Sequence, residues 1–187
     1  MNIVENWFGD GFKELDPLLQ NLHRNGGTLC GAVNVEYGDG LAGHLGARLA
    51  TKMGIPNRAG CRDLTVKIGS RNGELVWSRD FGDAGSEMVS IFKPQGHYPD
   101  GVWIEKTGPI TLILGVEVVN GGWYWVQRGA KIGPVRLPLW LMPITDAYKR
   151  VSEGRYEFSV TVSLPVLGMA FRYCGILYSG LTDSEFE

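Results

Sequence analysis

From Cys61 to the C-terminus, apolar and polar residues alternate with a period of two, broken at short intervals by turn residues. That period sends successive side chains to opposite faces of a strand. Leu64, Val66 and Ile68 share one face. Leu75, Trp77, Arg79 and Phe81 share the next, and Asn72-Gly73 between the two runs is a strong hairpin turn. Further strands are predicted over 88–92, 102–106, 110–119 and 123–128, with turns at Gly108-Pro109 and Asn120-Gly121-Gly122. After a Pro-rich passage over 133–143 and a hairpin at Glu153-Gly154, Phe158, Val160 and Val162 alternate with Ser159, Thr161 and Ser163, and a last strand covers about 169–178. Upstream, Val33, Val35 and Tyr37 alternate with Asn34 and Glu36, marking a half-buried strand over about 28–37. Roughly nine to eleven strands joined by short turns pair antiparallel, because parallel neighbours need long crossovers. A single sheet of that size curls, and closing it removes its exposed edges. The pattern predicts a mainly β (α+β) fold: an antiparallel curved sheet or barrel, lipocalin-like in general shape. A two-sheet sandwich is the alternative.

Two segments break the period. Asp16-Pro17 reads as a helix N-cap followed by proline at the first helical position, Leu18, Leu19 and Leu22 follow at helical spacing, and Asn25-Gly26-Gly27 ends the segment. A second helix is predicted from Leu41 to Met53, with Leu41, Leu45, Leu49 and Met53 forming a stripe along one face. These N-terminal helices are expected to cover an end or a face of the sheet. The chain is expected to be one domain over 1–187, with flexible ends at 1–10 and 180–187.

Composition narrows the function. Acids and bases nearly balance at a net charge of −2, which gives no basic face for nucleic acid. Three scattered cysteines, Cys30, Cys61 and Cys174, form no C-x-x-C pair, so they read as buried free thiols in a reducing compartment rather than zinc ligands. The first ten residues carry no basic leader. The longest apolar run, 110–119, is interrupted by Gly115 and Glu117 and is too short for a membrane-spanning helix. The expected location is the cytoplasm.

Candidate chemistry is sparse. Gly38-Asp39-Gly40-Leu41-Ala42-Gly43 fits a dinucleotide fingerprint, with Asp63 twenty residues beyond as the ribose-binding acid. Against it, the preceding strand alternates rather than reading continuously apolar, and no strand–helix units follow. A Gly-rich turn capped by Asp39 is the preferred reading. His44 and Arg48 read as a solvated helix face, and His23 as a cation at a helix C-terminus. His97 sits in a Pro/Gly loop, no two of the histidines share a local motif, and neither G-x-S-x-G nor H-E-x-x-H occurs. With no catalytic motif, the reading leans away from an enzyme, and no cofactor or metal is assigned.

Arg79 stands out, because parity turns it to the same side as Trp77 and Phe81. A buried arginine needs a partner, and Glu105 or Glu117 is the candidate. Trp103, Trp123, Tyr124, Trp125 and Trp140 are aromatics that pack a core or line a pocket. The apolar, proline-broken segment 135–143 either covers a barrel end or presents an exposed patch to a lipid or partner. The expected function is binding of a small apolar or amphipathic molecule, fatty-acid-like or an aromatic acid, by Arg79, Glu105, Glu117, Trp77 and Trp125 inside a barrel. That reading calls for a void of more than roughly 300 Å³. The alternatives are an accessory domain serving a separate NAD(P)-dependent oxidoreductase, or an enzyme binding a dinucleotide through Gly38 to Gly43.

The landmarks Trp77-x-Arg79-x-Phe81-Gly82, Glu105-x-x-Gly108-Pro109, Gly133-x-x-x-Leu137-Pro138, Pro143, Phe158-x-Val160, Pro165-x-x-Gly168 and Tyr173-x-Gly175, with Leu15-x-Pro17-x-Leu19-x-x-Leu22-His23 ahead of them, together resemble an uncharacterised bacterial family, domain of unknown function 4166. The resemblance spans about 15–178. It implies no reaction and no catalytic residues. Such domains often follow a saccharopine-dehydrogenase-like or short-chain-reductase-like nucleotide-binding domain. This chain is expected to stand apart from one, hence the separate oxidoreductase as expected partner.

Overall fold

A computed structural model describes residues 2–82, 87–108, 110–136, 138, 140 and 142–179. The acidic tail at 182–187 and Pro109 of the Gly108-Pro109 turn lie outside the described residues. Eleven strands are described: β1 (Gly27–Tyr37), β2 (Gly60–Arg71), β3 (Glu74–Asp80), β4 (Met88–Gln95), β5 (Val102–Thr107), β6 (Ile110–Val119), β7 (Gly122–Ile132), β8 (Val135–Arg136), β9 (Ile144–Ser152), β10 (Arg155–Leu164) and β11 (Gly168–Ser179). Each strand from β1 to β7 pairs antiparallel with the next, β7 pairs with β9, and β9, β10 and β11 continue round to β1. The sheet closes as an antiparallel barrel of ten strands, with β8 a short appendage on β7. Closure leaves the barrel strands no free edge, as the alternating pattern predicts.

Three two-residue hairpins sit at one end of the barrel, at Asn72-Gly73, Asn120-Gly121 and Glu153-Gly154, and all six residues have positive φ. Such a turn matches the twist of its flanking strands, and Asn-Gly adopts it at least cost. The same end is plugged by the N-terminal segment. Helix α1 (Ile3–Phe8) starts where the Asn2 side chain accepts the Val4 N–H at 2.8 Å. A 3-10 turn (Gly9–Glu14) leads to α2 (Pro17–Asn25), whose cap is Asp16, accepting the Leu18 N–H at 2.8 Å. The Asp16 N–H donates to the Gly121 carbonyl at 2.9 Å, tying α2 to the β6–β7 hairpin. The expectation of a flexible end over 1–10 is overturned here. Val4, Trp7 and Phe8 are buried, because Trp7 packs on Trp103 at 5.3 Å and Phe8 on Trp123 at 4.8 Å, inside the barrel.

Helix α3 (Gly40–Met53) lies at the opposite end, against β11. Its docking face is not the leucine stripe. Ala42, Gly43, Gly46 and Ala50 are buried, whereas Leu41 is 61% exposed. Positions four apart drift by about 40° per step on an α-helix. The stripe therefore winds from solvent at Leu41 and Leu45 to the barrel mouth at Leu49 and Met53. Small residues let the backbones approach: a Cβ at Gly46 would collide with the Ala170 carbonyl, and one at Gly43 with the carbonyl of Gly38. Among the described residues no helix is long and apolar enough to cross a membrane.

Candidate functional site

The plug fills the hairpin end of the barrel, and a cavity of about 130 Å³ remains above it. It runs from Trp77, Trp125 and Lys149 up to Leu49, Met53 and Lys131 at the α3 end. The expected void of more than roughly 300 Å³ is not met. An apolar cavity of about 150 Å³ takes a molecule of benzene's size, so this one encloses about one ring.

Parity places its polar groups. Arg79 on β3 is 7% exposed and faces inward with Leu75, Trp77 and Phe81. Its Nη1 donates to Ser90 Oγ on β4 at 2.9 Å. Ser90 Oγ lies 2.6 Å from Thr107 Oγ1 on β5, which in turn donates to Glu105 Oε1 at 3.0 Å. The chain runs from cation to anion, with each hydroxyl donating onward, so the bonds polarise one another. Among the described residues Arg79 has no direct carboxylate partner; Glu105 reaches it only through the two hydroxyls.

On the far wall, β9 turns Thr145, Ala147 and Lys149 inward. Lys149 pairs in register with Trp123 and is 2% exposed. Its Nζ lies 3.6 Å from the centre of the Trp123 ring, 4.2 Å from that of Trp77 and 5.5 Å from that of Trp125. It has no hydrogen-bond partner among the described residues. Burial, and secondarily the Arg79 charge, hold its amine well below the ordinary lysine value. His23 from α2 sits against the same rings, 5.8 Å from Trp77 and 4.9 Å from Trp123. Burial and then Lys149 push its imidazole well below its ordinary value. His23 is therefore a neutral imidazole packed beneath the cavity, not the dipole-complementing cation expected at the end of α2. The indole N–H groups of Trp77, Trp103 and Trp123 are likewise buried without acceptors among the described residues. Burial raises the hydroxyls of Tyr156 and Tyr173, so both stay protonated beside Arg79. Of the unpaired donors, only those of Trp77 and Lys149 belong to residues that line the cavity, and Glu105 is the single carboxylate among its lining residues.

Of the five expected site residues, Arg79, Glu105, Trp77 and Trp125 line this cavity. Glu117 does not. Leu114 and Val116 place the inward face of β6, so Glu117 points out, into a shallow groove with Tyr98 and Arg128. Sequence reasoning missed Lys149 and His23. The readable signal is the series Thr145, Ala147, Lys149 and Val151, a lysine on the apolar side of a strand. Nothing in the sequence shows that Trp123 lies opposite it.

The Gly38–Gly43 turn takes its glycines from packing. A Cβ at Gly38 would strike the Met169 carbonyl, and β1 is antiparallel to both its neighbours. Asp39 occupies the N-cap position without a side-chain capping bond. Cys30 and Cys61 are exposed rather than buried, on outward strand positions, and Cys174 is intermediate. Among the described residues no three His, Cys, Asp or Glu side chains gather as metal ligands. In the segment 135–143, Val135 is exposed, Trp140 is 75% exposed and Met142 is buried, while Leu137, Leu139 and Leu141 lie outside the described residues.

No curated protein and no solved structure matches the chain. The family model described as "Domain of unknown function (DUF4166)" matches residues 15–177, nearly the whole barrel together with α2, and the chain belongs to that family.

Proposed function

We propose that the barrel binds a compact amphipathic acid, one ring or a short chain in size, with its carboxylate at Arg79 and its apolar body against Trp77, Trp125 and Phe158. The observation that carries this reading is the inward guanidinium held through Ser90 and Thr107 but, among the described residues, without a direct carboxylate of its own. A guanidinium in an apolar wall is the side chain best suited to a planar anion. Three basic side chains line the cavity, Arg79, Lys131 and Lys149, against Glu105 alone; with the Lys149 amine neutral, Arg79 and the exposed Lys131 still outnumber that one carboxylate, so an entering anion improves the charge balance. Its 130 Å³ selects against a long fatty acid lying wholly inside.

Calorimetry with benzoate, hexanoate, palmitate and NADPH tests the reading. Benzoate or hexanoate is expected to bind, and Arg79→Met to weaken that binding by about tenfold or more, the loss of one charged hydrogen-bonded contact. NADPH is expected to give no heat. No heat from either short acid overturns the proposal.

A second reading rests on Val135, Trp140 and Ile144, all exposed at the cavity end of the barrel. Exposed apolar groups gathered in this way mark contact surfaces. They suit docking onto a protein partner, such as a separate oxidoreductase. A reductase retained from host lysate by the parent chain and lost with Trp140→Ser supports it, and retention by both chains refutes it.

A further inference from the structure

We infer that Lys149 is a covalent site: its side-chain amine condenses with the carbonyl carbon of a compact aldehyde or ketone held in the cavity, forming an imine. This rests on the proposed binding of a compact acid and names a second group that ligand carries.

The three indoles around Nζ favour an ammonium, and the lack of a carboxylate partner among the described residues opposes it and suits a nucleophile. Buried ammonium groups are ordinarily paired with carboxylates, because an unpaired buried charge is very costly. Lys149 has no such partner among the described residues, and its charged or titratable neighbours, Arg79 and His23, are both basic. Lys149 is one of the residues that line the cavity, and rotation of its side chain away from the indoles would bring the Nζ to a ring-sized molecule lying there. Desolvation beside another cation keeps an amine in its uncharged, reactive form. That agrees with the downward direction of its titration.

The step balances without a further reactant. The nitrogen lone pair attacks the carbonyl carbon, and the carbon–oxygen π bond breaks. Both amine protons then leave with the carbonyl oxygen as water, and a carbon–nitrogen double bond remains. A protonated imine would restore a positive charge beside Arg79. A ligand that also carries a carboxylate compensates that charge, so the substrate class is an oxo acid or a formyl-bearing aromatic acid.

The test incubates the full chain at pH 7 with 4-formylbenzoate and sodium cyanoborohydride, followed by intact-mass and peptide mapping. The expected result is one adduct, heavier by the aldehyde's mass less one oxygen, on Lys149. It should form at least about tenfold faster than adducts on the exposed Lys67 and Lys93, because burial beside Arg79 favours the neutral, nucleophilic amine at Lys149. Excess benzoate is expected to slow it, and Lys149→Met to abolish it. Adducts spread over surface lysines, or none at Lys149, overturn the inference. The mapping uses the parent chain, so the outcome does not depend on the variant folding. Benzoate calorimetry decides the binding reading separately: heat without an adduct refutes the imine alone.

Discussion

Replacing Lys149 by methionine tests the electrostatics of the barrel floor directly. In an unfolded chain a lysine stays protonated until about pH 10.4. In the fold, burial first and Arg79 second hold Lys149 well below that value. A base lowered in this way is neutral when folded and charged when unfolded. Its stability deficit is absent above the unfolded value and deepens as pH falls, until the folded value is reached. The slope is about 1.36 kcal/mol per pH unit. At pH 7, more than three units below the unfolded value, the deficit reaches about 5 kcal/mol at most. Three indole rings around Nζ oppose this, each contributing about 0.5–2 kcal/mol to an ammonium. Methionine sheds no proton and fills a similar volume. Lys149→Met is therefore expected to be more stable than the parent at pH 7, by less than that bound, with the gap narrowing as pH rises to 9. His23 does not disturb that window, since an ordinary histidine is already neutral above it. Urea unfolding at pH 7, 8 and 9 measures the gap. A gap that stays flat across the series means the ammonium persists in its tryptophan cage, and it refutes the account of a neutral amine.

Other consequences can be checked independently. Trp7→Ala is expected to cost about 3–5 kcal/mol in chemical unfolding, as for a large core aromatic; a change under about 1 kcal/mol would mean α1 is not part of the core. Gly46→Val places a side chain against the Ala170 carbonyl, so it should cost about 1–3 kcal/mol and raise hydrogen exchange across α3, with unchanged exchange counting against the close approach. A thiol reagent should label Cys30 and Cys61 in the folded chain faster than Cys174, and equal rates for all three would contradict the outward positions of the first two.

The legible parts of the fold are those where local chemistry decides. The Asn72-Gly73 and Asn120-Gly121 turns, the Asp16-Pro17 cap and the parity of Arg79 each depend on a few adjacent residues, and each appears where the pattern puts it. What stays hidden depends on distant neighbours. The α3 stripe of leucines reads as a docking face only while hydrophobicity is weighed without shape. Against the Ala170 backbone there is room only for Gly43, Gly46 and their small neighbours. Glu117 stands in an apolar strand, which suggests a buried carboxylate, yet its parity is that of the outer face.

The size of the cavity and the misread N-terminus are one error seen twice. Reading residues 1–10 as a loose end leaves the hairpin end of the barrel open and the void large. In the fold, Trp7 and Phe8 enter that end and pack on Trp103 and Trp123, and α2 brings His23 beneath Trp77. The plug converts a long barrel interior into a short cavity floored by the indoles of Trp77 and Trp125 and the Lys149 side chain, with His23 and Trp123 packed beneath. Of the unpaired donors there, two belong to residues that line the cavity, Trp77 and Lys149, beneath walls that are mostly apolar. A purely apolar ligand would leave those donors unpaired, at about 1–3 kcal/mol for each buried group. A compact molecule with an oxygen at each end satisfies Arg79 and the floor together, which is why the polarity of the site, more than its hydrophobicity, sets the class of ligand.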